Sequence, residues 1–197
     1  MIYPQIKSYL DKAESVEITN ERKLILNQIR DYIQSTNDPK LNFICTHNSR
    51  RSHLSQIWAQ TMAHHFGINI STFSGGTEAT AFHPNAVAAI ESAGFHVTKE
   101  EGDNPKYKVH FSDDVAPIIC FSKTFDDPYN PSTGFAAIMT CSEADAECPI
   151  VHGANARIKL FYEDPKVSDG TGEEAQVYGE RSSQIAKEMV YIFSSIK

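Results

Sequence analysis

From Leu41 onward, short apolar runs alternate with longer segments of helical periodicity, and that order constrains the fold more than any single motif. LNFIC (41–45) reads as a strand, and a helix from about Arg51 to Phe66 follows it, closed by Gly67. INISTF (68–73) is a second strand and SGGTEATAFH a loop. Pro84 then opens a helix that closes at Gly94. VAPIICF (115–121), FAAIMT (135–140) and RIKLFY (157–162) are further strands, and a last helix runs from about Glu173 to Ile196. Strands alternating with helices imply parallel βαβ units. The expected fold is therefore α/β, an open and mostly parallel sheet with helices on both faces. The Pro-, Gly- and Asp-rich SKTFDDPYNPSTG (122–134) is expected to be a surface hairpin or insertion.

Residues 1–40 differ in character and form a helical N-terminal extension to the domain of residues 41–197. Pro4 suits a first helical turn, and Thr19 can cap NERKLILNQIRDYIQ, which is expected to bury Leu24, Ile25, Ile29 and Ile33 on one face. Asn37-Asp38-Pro39 stops it. The extension either packs on the sheet or makes a dimer contact, and the sequence fixes no oligomeric state.

A chain of 197 residues can bury one good core. Its net charge of −7 argues against a general nucleic-acid or anionic-membrane surface, so any site for an anion has to be built locally. No apolar run is long enough to span a bilayer. The opening MIYPQIKSYLDKAESVEI has no apolar signal core, so a cytoplasmic setting is expected and the four cysteines read as thiols of a reducing compartment.

Cys45 to Arg51 spells C-x5-R between a strand and a helix, with Ser52 next. Such a loop can wrap the backbone N–H groups of Thr46, His47, Asn48, Ser49 and Arg50 around a tetrahedral oxyanion, helped by the helix N-terminus. Arg51 adds a planar two-pronged donor. The same field favours the nucleophilic thiolate form of a cysteine. Ser52 can donate to the sulfur or cap the helix, and Asn48 can hold the loop's shape. C-x5-R alone is common by chance, and the alternative is a buried strand-end cysteine beside an unrelated arginine.

FICTHNSRRS resembles the active-site loop of the low-molecular-weight protein tyrosine phosphatase fold, which also houses the thioredoxin-coupled arsenate reductases. The resemblance continues through TFSGGTEATAFHPNAVAAIESAGFHV, covers about Leu41 to the C-terminus and leaves residues 1–40 aside. His47 stands where family members often carry glycine, so a positive φ there would be strained. Gln56 occupies a position that is acidic in potassium-binding members, which leaves no potassium site implied.

MTCSEADAECPI holds Cys141 and Cys148. Paired cysteines downstream of a nucleophilic one point to thiol relay chemistry. If helical, seven residues would set their Cα atoms about 10 Å apart, whereas a disulfide needs roughly 4.4–6.8 Å. The pattern C-S-x-A-D-x-x-C-P is similar to the redox segment of the thioredoxin-coupled reductases, which plain phosphatases of this fold lack. The resemblance implies that Cys45 attacks arsenate, Cys141 attacks the adduct, and arsenite leaves as a Cys45–Cys141 disulfide forms. Cys148 would then shift the disulfide to Cys141–Cys148 for thioredoxin. Two unrelated thiols remain an alternative. Zinc on Cys141, Cys148 and His152 is another, loosely spaced and lacking a fourth ligand, so no metal and no cofactor are expected.

A leaving oxygen needs a proton, which an aspartic acid above the loop can give. Two Asp-Pro pairs compete: Asp164 in YEDPKV, favoured by chain order, and Asp127 in FDDPYN, in the insertion. Lys166 stands where a tyrosine phosphatase would place a stacking aromatic. Arg50 adds a second cation beside the loop, either for an anion or simply solvated. Cys120 is expected in the core, and His64 and His65 are expected to complement the helix C-terminal dipole. The expected function is arsenate reduction. The alternatives are a phosphatase with a phosphocysteine at Cys45, and a non-catalytic oxyanion-binding or thiol-sensing module.

Overall fold

The computed structural model describes residues 1–13, 17–147 and 150–196. Strands β1 (Lys40–Cys45), β2 (Ser71–Gly76), β6 (Phe135–Met139) and β7 (Ala154–Lys159) form a parallel sheet in the order β2-β1-β6-β7. β3 (His96–Lys99), β4 (Tyr107–His110) and β5 (Ile118–Cys120) form a separate antiparallel sheet. VAPIICF is therefore not a strand of the parallel sheet, and β3 and β4 are additional. Both carry polar residues at exposed positions, and four residues are too few to give a periodic signal. β2 starts three residues later than INISTF, and β7 ends before Leu160, Phe161 and Tyr162.

Side-chain alternation along β1 divides the core. Leu41 and Phe43 join the large cluster beneath α3 (Arg51–Phe66) and α6 (Glu174–Ser194), while Ile44 joins a smaller one with Met139, Cys141 and Ala144, which Cys45 also meets where the strand ends. Helix α5 (Ser142–Glu147) covers that second face, so helices lie on both. Helix α4 (Pro84–Ser92) packs on α6. Gly67, left-handed at φ 71°, closes α3.

The extension forms α1 (Pro4–Ala13) and α2 (Asn20–Ser35), both packed on α6. Ile2, Ile6, Leu26, Ile29 and Ile33 join the main core cluster. Leu24 is 67% exposed, contrary to expectation, and Leu26 takes the buried place: 26, 29 and 33 form the i, i+3, i+7 stripe. Gly94, at φ +100°, lets α1 approach closely, since a Cβ there would lie 2.5 Å from the Gln5 Cβ.

Residues 122–134 are not a free hairpin. Gly76 donates to the Lys123 carbonyl, and Phe125 N–H donates back to Gly76. Asn130 Nδ2 donates to the carbonyls of Ser74, Thr124 and Phe125. The segment covers the end of the otherwise open β2 edge.

Candidate active site

The loop after β1 is shaped by its carbonyls. Cys45 O accepts from Thr77 N–H, and Thr46 O from Glu78 N–H. His47 O accepts from the hydroxyls of Ser122 (2.8 Å) and Thr80 (3.3 Å), and Ser49 O from His83 N–H. Because a trans peptide sets its C=O and N–H on opposite sides, tethering these carbonyls outward turns the following amides inward. The result is a ring of donors at the N-terminus of α3, suited to an oxyanion.

The left-handed residue is Asn48 (φ 44°), not His47. Asparagine tolerates this region and here uses its side chain as well. Fully buried, it accepts from Lys123 N–H (3.0 Å) and donates to Ser52 Oγ (2.8 Å). Ser52 Oγ in turn lies 3.0 Å from Cys45 Sγ. A serine oriented this way by an amide can donate to a thiolate. His47 instead points outward, its Nε2 2.8 Å from Glu78 Oε1 at the surface.

Arg51 is buried, with Nη1 on the Tyr162 carbonyl (3.1 Å) and Nη2 on Asp164 Oδ2 (2.7 Å). Asp164 also caps its own turn through Lys166 N–H. Of the two candidate acids, Asp164 is thus the one in contact with the loop's arginine. Asp127 accepts from Tyr129 N–H (2.8 Å) and closes a turn of the inserted segment.

Arg50 is not simply solvated. It donates to Tyr178 Oη and to Asp169 Oδ2, each at 2.6 Å. Burial would raise the Asp169 carboxyl, but the Tyr178 hydroxyl and the Arg50 guanidinium hold it below its ordinary value. Burial and the Arg50 charge lower His83, which stacks on Tyr178. An open cleft of about 300 Å³ beside the loop is lined by His47, Ser49, Arg50, His83 and Lys166 among others. No sequence spacing pointed to Tyr162, Asp169 or Tyr178, because each reaches the loop from more than 110 residues away.

Cys141 is buried directly beside this loop, with Thr46 Oγ1 3.5 Å from its sulfur. Burial pushes the Cys141 thiol up, opposed by Thr46, the Ala144 amide and the Arg51 charge. α5 occupies all six residues that follow it, and Cys148 lies outside the described residues. Asp145 fixes α5 to β7 through Arg157 (2.6 Å) and Lys159 (2.9 Å). Cys120 is buried in the main core cluster, as expected. Gln56 Nε2 donates to the Thr72 carbonyl, and its buried Oε1 has no hydrogen-bond partner among the described residues. Burial and the nearby Lys7 and His64 lower His65, which with His64 lies in the last turn of α3. Among the described residues, no three His, Cys, Asp or Glu side chains converge as metal donors, and no helix is long and apolar enough to cross a membrane.

No protein-family model matches the chain. It is 29% identical over 139 residues to an arsenate reductase of Bacillus licheniformis, covering 71% of this chain and 83% of that one. It is 25% identical over 153 residues to an arsenate reductase of Bacillus cereus, covering 73% and 96%. Among solved structures, a low-molecular-weight phosphotyrosine phosphatase from Vibrio cholerae superposes with a TM-score of 0.53 at 13% identity, over 79% of this chain and 94% of that one. The chain has the low-molecular-weight protein tyrosine phosphatase fold, and the relatives it resembles in sequence over most of their length are arsenate reductases.

Proposed function

We propose that this protein reduces arsenate to arsenite through Cys45, Cys141 and Cys148, with thioredoxin as the donor that restores the thiols in a reducing compartment such as the cytoplasm. The observation that carries the reading is the second thiol beside the cradle: Thr46, the first residue of the anion loop, contacts the buried Cys141 sulfur. A phosphatase needs only the first. The arsenate reductases similar in sequence support the same reaction.

In this scheme the loop amides of residues 46–51 and the free N–H groups of Arg51 hold arsenate. Ser52 donates to the Cys45 thiolate, which attacks arsenic while Asp164 protonates the departing oxygen as water. Cys141 then attacks the Cys45 sulfur. The S–S bond forms, the S–As bond breaks, and its electron pair stays on arsenic, which leaves as arsenite. Cys148 attacks Cys141 and frees Cys45, and thioredoxin's dithiol reduces the Cys141–Cys148 disulfide. If the whole segment from Cys141 to Cys148 were helical, the two Cα atoms would lie about 10 Å apart, and closing that disulfide would then need the segment to unwind.

The test follows arsenate-dependent NADPH oxidation with thioredoxin and thioredoxin reductase, with an aryl phosphate assay alongside. Native protein should turn over many times, and Cys148→Ser should stop after about one turnover. Aryl phosphate hydrolysis without arsenate turnover, indifferent to Cys148→Ser, would make the protein a phosphatase instead.

A further inference from the structure

The N-terminal helices lie outside every motif of the site, yet one of their side chains ends one residue from it. Arg22, in the first turn of α2, donates from Nε and Nη2 to both oxygens of Glu188, each at 2.8 Å. Its Nη1 donates to the Phe161 carbonyl at 2.9 Å. The guanidinium also lies over the Tyr162 ring, 4.7 Å from the centroid, and the Tyr162 hydroxyl donates to the same Glu188 at 2.7 Å. Glu188 and Tyr162 are both buried.

Residues 161–164 are the segment that Arg51 depends on. Tyr162 O accepts from Arg51 Nη1, and Asp164 takes Nη2. On its inner side the segment is tied to the core by Tyr162 N–H on the Thr140 carbonyl. Its outer side is gripped by Arg22 through a carbonyl, a ring face and a shared carboxylate. We infer that Arg22 of the N-terminal extension is a positioning residue for the oxyanion cradle, holding the 161–164 segment so that the Tyr162 carbonyl and Asp164 fix the plane of the Arg51 guanidinium. This rests on the reading of Cys45 and Arg51 as an oxyanion site. It gives the extension a role in substrate binding without any contact to substrate. A fork of three donors in one plane is what the arrangement uses, and only arginine supplies it.

Removing Arg22 alone would strand the buried Glu188 charge and confuse stability with function. The full-length double variant Arg22→Met/Glu188→Gln avoids this, because glutamine is neutral and still accepts from Tyr162. Arg22→Lys, which keeps the charge but not the fork, is the second variant. The readout is the rate at which iodoacetamide labels Cys45, followed on its own peptide by mass spectrometry, under graded inorganic phosphate. The expected result is that the half-protecting phosphate concentration rises about fivefold or more in the double variant and less in Arg22→Lys, with cooperative thermal unfolding retained. A purely structural role would lower the melting temperature and leave the protection of folded protein unchanged. Unchanged protection in both variants overturns the role of Arg22 and leaves the cradle standing. Failure of phosphate to protect native Cys45 overturns the cradle, and the role of Arg22 with it.

Discussion

Asn48 carries two separable costs, and replacing it tests the construction of the loop. Its side chain satisfies the Lys123 amide and the Ser52 hydroxyl in a site closed to water. Asn48→Ala leaves both without that partner, at roughly 1–3 kcal/mol for each buried group. It also forces an alanine to hold φ 44°, which adds about 1 kcal/mol. The loss should be about 4 kcal/mol, measured as unfolding free energy in urea. Asn48→Gly removes the same two hydrogen bonds, leaving Ser52 only its contact with Cys45, but relieves the backbone strain, so it should lose about 1 kcal/mol less despite the greater freedom of its unfolded chain. The order native > Gly > Ala is the signature. Alanine equal to or better than glycine would refute the strain argument. Losses below about 1 kcal/mol in both variants would refute the account of the buried hydrogen bonds. Both variants should also slow Cys45 labelling by iodoacetamide, since Ser52 loses the group that aims it.

Asp164→Asn removes the carboxylate that occupies one prong of Arg51. Asparagine keeps an acceptor for Arg51 Nη2 but no acid proton, so phosphate should protect Cys45 at about the native concentration while arsenate turnover falls by about 100-fold or more; unchanged turnover would contradict this. Lys123 is buried over the Phe121 and Tyr129 rings, and burial lowers it to about 8, while burial pushes the Cys120 thiol up to about 12. Between pH 8 and the ordinary lysine value the unfolded chain binds the extra proton at Lys123, so stability should rise with pH from about 8. Above about 9 the folded chain holds the extra proton at Cys120, which cancels the gain and then reverses it. In Lys123→Met the rise near pH 8–9 should vanish, and urea unfolding at pH 7 should show a gain of about 1–3 kcal/mol. Gly94→Ala should cost about 2–3 kcal/mol by driving a methyl into Gln5 at a left-handed φ, and thermal denaturation with a native-like midpoint would refute the close docking of α1.

The parts legible in the sequence were those coded by neighbours in the chain. Strand 41–45, the C-x5-R turn, the Gly67 stop and the Pro84 start all depend on residues within a few positions of one another, and all are present. The parts that depend on distant partners were misread or unseen. Leu24 is a separate case: it lies five residues before Ile29, off the stripe that Leu26 completes, so helical periodicity alone already favours Leu26. Arg50 reads as a solvated cation until Asp169 and Tyr178 are brought to it. Residues 122–134 have every local mark of a loose hairpin, but Asn130 and the backbone of Lys123 and Phe125 bind them to β2. The resemblance put the unusual turn of the loop at His47, whereas Asn48 adopts it. The choice fell to the one whose side chain could also bridge Lys123 and Ser52.

Trp58, the single tryptophan of the chain, is fully buried in α3, the helix whose N-terminus forms the cradle. Its ring stacks on Tyr9 of α1 at 5.6 Å, meets Phe95 edge-on, and donates from Nε1 to Ser182 of α6 at 2.9 Å. The molecule therefore carries one tryptophan fluorophore, placed where the N-terminal extension meets the domain. If α1 lifts away, Trp58 loses a stacked ring and gains water on that side, so its emission should shift to the red while α3 stays folded. Seating of the extension can then be followed by emission, separately from occupancy of the anion loop, which the labelling of Cys45 reads.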